Sequence, residues 1–167
     1  MKKYTLSFIS ILFLLVACGP TKDDAINFND KVVSAQTDCL NAESDFYKVC
    51  DELNAEDIKT ALTGFKTKVK ICLAKAESTT SNEDFDAYRQ SAVNLLKEYS
   101  NMLDAEFTEY AGLYSITTEN YTEADETRQK ELADKINTSL DLLNKNFISE
   151  QKRFASKWGF TLNKSSY

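Results

Sequence analysis

The sequence predicts an all-α protein, an up-down-up-down four-helix bundle that follows a cleaved leader. Four long segments repeat apolar residues every three or four positions, which is the period of an amphipathic helix. No stretch alternates apolar and polar residues for long enough to predict a strand. Pro20, the chain's only proline, precedes all four segments. Because the polar connections between them are short, successive helices are expected to lie antiparallel.

The first two helices are predicted at residues 25–53 and 54–76. The first carries an apolar stripe that includes Val32, Cys39 and Phe46. Asn54 is a favourable N-cap for the second. The apolar residues of the second helix keep a 4-3-4-3 spacing, which is typical of a bundle seam; they are Ile58, Leu62, Phe65, Val69, Cys72, Leu73 and Ala76.

The third and fourth helices are predicted at residues 82–114 and 122–158. Ser81 and Asp84 resemble a capping box before the third helix, whose stripe is rich in aromatic residues. Thr122 is the expected N-cap of the fourth, with Asp125 three positions later. Gly159 follows its last residue and predicts a left-handed C-terminal stop. The bundle is therefore expected to occupy residues 25–162, with a tail at 163–167.

Residues 1–17 are typical of a secretion signal. Lys2 and Lys3 precede an apolar run at 6–16, which is shorter than the ~20 residues that a membrane-spanning helix needs. The run ends in Leu15-Val16-Ala17-Cys18, which resembles the lipobox of bacterial lipoproteins. That resemblance implies cleavage before Cys18 and attachment of fatty acyl chains to Cys18. Two or more acyl chains hold a protein stably on a membrane, whereas one holds it only marginally.

Residues 18–24 are expected to form a short tether between the lipid and the domain. Lys22-Asp23-Asp24 resembles the Lys-(Asp/Glu)₂ export signal that follows the lipidated cysteine in surface lipoproteins of Bacteroidetes-type bacteria. This resemblance implies an outer-membrane protein exposed on the cell surface. A plain solvated linker, and with it the periplasmic face of the membrane, is the alternative.

Charge and composition exclude several classes of function. Loss of Lys2 and Lys3 with the leader takes Lys+Arg from 20 to 18 against 26 Asp+Glu, so the net charge falls from −6 to −8. An acidic surface opposes binding to nucleic acid. The chain has no histidine, which removes imidazole catalysis and histidine metal sites. It also lacks phosphate-binding glycine motifs, so we expect neither an enzyme nor a cofactor.

Several side chains remain as candidates for a site. Glu43 and Glu106 border the apolar stripes and could form a buried acid pair, although a solvated edge is the expected place for both. The aromatic stripe of the third helix could line a ligand groove, although core packing is the expected role. Cys39 and Cys72 lie at similar heights of a hairpin that turns near Asn54, so a disulfide between them competes with buried reduced thiols.

Both ends of the domain carry a recognisable pattern. Asn29-Asp30-Lys31-Val32-Val33-x-x-Gln36 opens it, and Gln151-x-x-Phe154-Ala155-x-Lys157-Trp158-Gly159-Phe160-x-Leu162 closes it. Together they resemble a family of small helical surface lipoproteins of Bacteroidetes and spirochaetes to which no activity is assigned. Asn29, Gln36 and Gln151 border or occupy the seams of the bundle, where a hydrogen-bonded polar layer would fix helix register. A small polar ligand site is the alternative.

The sequence therefore predicts a non-enzymatic binding or interaction module, anchored to the membrane through Cys18. Its partner is an unidentified protein or small ligand. The alternative is a structural or accessory envelope lipoprotein without a ligand of its own. An exposed apolar groove between the third and fourth predicted helices would favour binding, and a bundle closed on every side would favour the accessory role.

Overall fold

A computed structural model describes residues 19–51 and 55–162 of the chain. The described residues form five α-helices and no strand: α1 (Lys22–Asp51), α2 (Ala55–Ser78), α3 (Glu83–Asp104), α4 (Glu106–Tyr114) and α5 (Glu123–Trp158). The all-α prediction is confirmed. The predicted leader, the lipid site Cys18, the cap Asn54 and the tail lie outside the described residues.

Helix α1 begins earlier than predicted, inside the segment that we expected to be tether. Thr21 and Asp24 form a reciprocal cap: the Thr21 amide donates to Asp24 Oδ2 at 2.9 Å, and the Asp24 amide donates to Thr21 Oγ1 at 3.2 Å. These bonds satisfy amides that the first turn of a helix leaves unpaired. The helix therefore includes Lys22 and Asp23, and only Gly19, Pro20 and Thr21 of the described tether lie outside it.

The predicted third helix is divided in two at Ala105, whose φ of −122° and ψ of −85° are not helical. Its N-cap is Asn82 rather than the predicted Ser81, because Asn82 Oδ1 accepts from the amides of Asp84 and Phe85. At the break, the Thr108 hydroxyl donates to the Leu103 carbonyl at 2.7 Å. The side chain thus provides a partner for a carbonyl at the C-terminal end of α3.

The two ends of α5 follow the sequence prediction. Thr122 and Asp125 form a capping box at its start. Gly159 ends it with φ at 67°, a left-handed conformation that glycine adopts without a side-chain clash. Local residue chemistry therefore determines where this 36-residue helix begins and ends.

Contacts between α1 and α2 indicate an antiparallel pair, because Phe46 meets Phe65 and the earlier Ser34 meets the later Lys75. The rings of Phe46 on α1 and Phe65 on α2 stack with centroids 5.7 Å apart. Lys66 on α2 forms an ion pair with Asp104 at the end of α3. Helices α3 and α4 both pack against α5, and α5 returns to α1. A single core cluster of buried residues joins all five helices.

No helix of the described residues is long and apolar enough to span a bilayer. The exposed large hydrophobic side chains of this part of the chain are few: Leu40, Ile71 and Leu142. Since isolated apolar side chains are normal on soluble surfaces, these three do not by themselves indicate an interface.

Candidate functional site

The end of the domain at which α1 begins, called the tether end here, is closed by aromatic side chains. It comprises the start of α1, the start of α3 and the end of α5. Phe154 lies at its centre and contacts the rings of Phe28, Phe85, Tyr88, Trp158 and Phe160. Phe28, Phe85, Tyr88 and Phe154 are almost fully buried.

A polar cluster lies inside this aromatic packing. Asn29 Oδ1 accepts from the Tyr88 hydroxyl and from Gln151 Nε2, each at 3.1 Å. The structure thus brings together two residues of the predicted polar layer, Asn29 and Gln151. Tyr88 joins them because its ring belongs to the core stripe while its hydroxyl requires a partner. Gln151 is fully buried, and its Oε1 has no hydrogen-bond partner among the described residues.

Gln36, the third predicted member, lies seven residues further along α1. Its Nε2 donates to Asn144 Oδ1 on α5 at 2.8 Å. Asn144 in turn precedes Gln151 by seven residues, so the two polar contacts between α1 and α5 repeat at one-heptad spacing. The same spacing of Asn144 and Gln151 in the sequence could have identified Asn144. Because each pair joins one position of α1 to one position of α5, these amides help to fix the register of the two helices.

The three cysteines of the domain, Cys39, Cys50 and Cys72, are buried free thiols in the structure. Burial raises the pKa of Cys39 strongly, and the neighbouring Cys72 and Glu43 raise it further. Burial also raises the pKa of Cys50 to about 12. All three thiols are therefore protonated at neutral pH. The predicted disulfide between Cys39 and Cys72 is not formed in this state and stays a prediction.

Glu43 and Glu106, expected at a solvated edge, are both half-buried, and they do not form an acid pair with each other. Glu43 is half-buried and accepts a 2.7 Å hydrogen bond from the Tyr99 hydroxyl on α3. Burial raises the pKa of Glu43, while the bond from Tyr99 acts in the opposite direction. The Glu106 side chain is only 14% exposed and forms an ion pair with Lys135 at 2.5 Å. Each acid is thus paired with a separate partner, which offsets the cost of removing it from water.

The opposite end of the domain, called the far end, contains an apolar hollow between α4 and α5. We call it the tyrosine cleft. Its volume is about 320 Å³, and it is lined by Leu113, Tyr114, Ile116, Thr117, Thr118, Tyr121 and Gln129. The loop between α4 and α5 provides most of this lining, so the hollow differs from a groove that runs between two helices. A volume near the lower end of the ~300–1,000 Å³ range suits a small ligand or one group of a larger one.

The loop beside the cleft is held by its own hydrogen bonds. The amides of Asn120 and Tyr121 donate to the Thr117 carbonyl at 2.9 and 3.0 Å. Below it, Arg128 on α5 donates to both carboxylate oxygens of Glu109 on α4, at 2.6 and 3.0 Å. Such two-point pairing fixes the orientation of both partners. These hydrogen bonds and the Arg128–Glu109 pair therefore hold the residues beside the cleft in place without a ligand.

The polar groups of the cleft are uncharged. The Tyr121 hydroxyl donates to Gln129 Oε1, and the Tyr110 hydroxyl donates to Tyr114 Oη at 3.2 Å. Burial, with Glu126 and Asp125 nearby, raises the pKa of Tyr121, so its phenol is neutral at neutral pH. These bonds leave the Tyr114 hydroxyl proton and Gln129 Nε2 as donors without a partner among the described residues. The cleft thus offers an aromatic wall and two hydrogen-bond donors.

Sequence reasoning missed most of this site. Tyr114 belonged to the predicted aromatic stripe, but Ile116 to Tyr121 carried no signal beyond that of a connecting loop. Among the described residues, no three potential metal-ligating side chains lie together. Comparison with family models, with curated proteins and with solved structures finds no match for the chain.

Proposed function

We propose that the protein is a lipid-anchored, non-enzymatic binding module of the bacterial outer membrane, exposed on the cell surface. Cys18 carries the lipid, and residues 1–17 are removed. The domain is an up-down-up-down four-helix bundle in which α3 and α4 together form the third leg. The antiparallel pairing of neighbouring helices supports this arrangement.

The tyrosine cleft is the observation that carries the binding role. It is apolar, partly open and held by hydrogen bonds, and its lining contains neither a carboxylate nor a thiol. Tyr114 and Tyr121 provide ring faces, while the Tyr114 hydroxyl and Gln129 Nε2 provide donors. The matching ligand is small and uncharged, with one apolar face and at least one acceptor oxygen.

Aryl glycosides are suitable probes because they join an apolar ring to neutral oxygen atoms. We expect p-nitrophenyl glucoside to shift the amide resonances of residues 113–129 and to leave those of the tether end unchanged. Tyr114→Ala should weaken this binding about tenfold or more, equivalent to at least ~1.4 kcal/mol. Leu142→Ala, which removes a 71% exposed side chain elsewhere on α5, is the matched control.

Binding that does not change in Tyr114→Ala, or resonance shifts spread over the whole domain, would count against the cleft. So would the absence of binding across a panel of uncharged glycosides and other small neutral aromatic compounds. The accessory envelope role, without a ligand of its own, would then be the better description.

The anchor can be tested separately from the cleft. Metabolic labelling with palmitate should mark the processed protein that begins at Cys18, and Cys18→Ala should abolish the label and release the protein from the envelope fraction. Cys50→Ala, which alters a buried cysteine, should keep both. Protease treatment of intact cells should remove the domain from the surface, whereas complete protection would assign it to the periplasmic face.

A further inference from the structure

We propose that Cys39 and Cys72 form a disulfide between α1 and α2 when the protein meets a disulfide donor. The structure contains the reduced state, in which both thiols are free and buried. The inference rests on the register of the two helices and does not depend on the tyrosine cleft.

The stacked pair Phe46–Phe65 establishes which residues of α1 and α2 lie at the same level. Cys39 precedes Phe46 by seven residues, and Cys72 follows Phe65 by seven. Because seven residues return a helix almost to the same face, the cysteine pair repeats the position of the phenylalanine pair two turns away. The two helices run antiparallel here, so both steps go in the same direction along the hairpin.

A second contact confirms this register on the other side of the cysteines. Lys75 Nζ on α2 lies 2.8 Å from Ser34 Oγ and 3.5 Å from Asp38 Oδ2, both on α1. Residue 75 of α2 therefore lies opposite residues 34–38 of α1. Because the two helices run antiparallel, Cys72, which is three positions earlier on α2, lies opposite the residues that follow this segment on α1. Cys39 lies there, directly after Asp38.

Burial places both thiols between the helices rather than on the surface. Cys39 is 0% and Cys72 is 1% exposed, and both belong to the same core cluster. Core-facing positions at one level of packed helices approach more closely than the 8–10 Å between helix axes, and a disulfide joins Cα atoms that lie about 4.4–6.8 Å apart.

Cys50 is excluded as a partner by the same register. It lies eleven residues from Cys39 on the same helix, roughly 16 Å along the axis. In this register the α2 residue opposite Cys50 is Ala61, which lies four residues from Phe65 on the side toward the turn of the hairpin. Cys50 is therefore expected to stay reduced in the bridged protein.

The reaction is thiol–disulfide exchange with an external disulfide. A Cys72 thiolate attacks one sulfur of the donor, forms a mixed disulfide and releases one donor thiol. The Cys39 thiolate then attacks Cys72 Sγ and releases the second donor thiol. The protein loses two electrons and two protons, and the donor gains them as two thiols. Burial and the nearby Asp38 raise the pKa of Cys72, while Lys68 and Lys75 act in the opposite direction, so this thiol is protonated in the folded domain.

Because both thiols are buried, the exchange takes place while the α1–α2 hairpin is open. The purified full chain in a Cys18→Ala background, which leaves Cys39, Cys50 and Cys72 as its cysteines, should therefore be unfolded and refolded in a glutathione redox buffer, and its thiols then alkylated under denaturing conditions. We expect a product lighter by two hydrogen atoms, a peptide joined through Cys39 and Cys72, and alkylation of Cys50. Reduction should lower the Tm by roughly 8–15 °C, because the bridge closes a loop of roughly 30 residues.

Three variants separate the bridge from general effects on folding. Cys50→Ala should still form it, and Cys39→Ala and Cys72→Ala should each abolish both the cross-linked peptide and the effect of reductant on the Tm. Alkylation of Cys39, Cys50 and Cys72 in the refolded Cys18→Ala chain, or a bridge that includes Cys50, would overturn the proposal. If the purified chain forms the bridge but protein trapped from cells does not, the pairing stands and the proposed export to an oxidising compartment is contradicted.

Discussion

The tether end and the far end of the domain are built from the same residue types and differ in how closely these residues pack. At the tether end, Phe28, Phe85, Tyr88 and Phe154 pack against one another until almost no ring surface is left for water. At the far end, Tyr114 and Tyr121 are only half-buried and line a cleft. Aromatic residues on a helix therefore do not distinguish a core from a binding site. The difference lies in whether a facing ring fills the space beside each aromatic side chain.

The polar groups differ between the ends in the same way. Asn29 Oδ1 accepts from Tyr88 and Gln151 inside the packing, and Asn29 Nδ2 donates to the adjacent Asp30. Gln151 Oε1 and Trp158 Nε1 are buried at this end without a partner among the described residues. At the cleft, the Tyr114 hydroxyl and Gln129 Nε2 retain donors that no described residue uses. Buried amides that bond to each other select one helix arrangement, whereas unpaired donors beside water are available to a ligand.

The largest effect is expected from breaking the closed end. Phe154→Ala removes the ring at the centre of the aromatic cluster and should lower the free energy of unfolding by about 3–5 kcal/mol, as measured by urea denaturation. Leu142→Ala on the same helix is mostly exposed and should change it by less than ~0.5 kcal/mol. Equal effects of the two variants would show that the tether end is not the tightly packed region described here.

A smaller effect is expected from the polar cluster. Asn29→Ala removes the shared acceptor of the Tyr88 and Gln151 groups and should cost about 1–3 kcal/mol in the free energy of unfolding. The double variant Asn29→Leu/Gln151→Leu should lower the free energy of unfolding by less than the sum of the single variants Asn29→Leu and Gln151→Leu, because it leaves no unpaired amide behind. Additive costs in this double-mutant cycle would argue against coupling between the two side chains.

Features that depend on adjacent residues could be predicted from the sequence. Thr122 with Asp125 and Gly159 fix the ends of α5 through bonds and backbone angles within a few positions. The helical period of the apolar residues also predicted the all-α class and most of the core. One residue can take part in two features: Asp24 belongs to the segment that resembles an export signal, which stays a prediction, and in the fold it also caps α1 with Thr21.

Features that depend on packing between distant segments could not be predicted. The break at Ala105 has no local cause in the sequence, since alanine favours helix and the apolar period continues through Phe107. The cleft requires the loop before Tyr121 to meet α5, and its lining residues are ordinary loop residues. The partner of Glu43 is a tyrosine 56 positions away, so its half-buried position had no signal nearby.

The early start of α1 has a mechanical consequence for a protein held by a lipid at Cys18. Rigid structure begins four positions after that residue, so the leash is at most roughly 14 Å long, against about 45 Å for the 30 residues of α1 itself. On the proposed lipid anchor, the end of the domain where α1 begins would stay within that distance of the bilayer. The tyrosine cleft lies at the opposite end of the domain, so it would be the part that reaches farthest from the anchor.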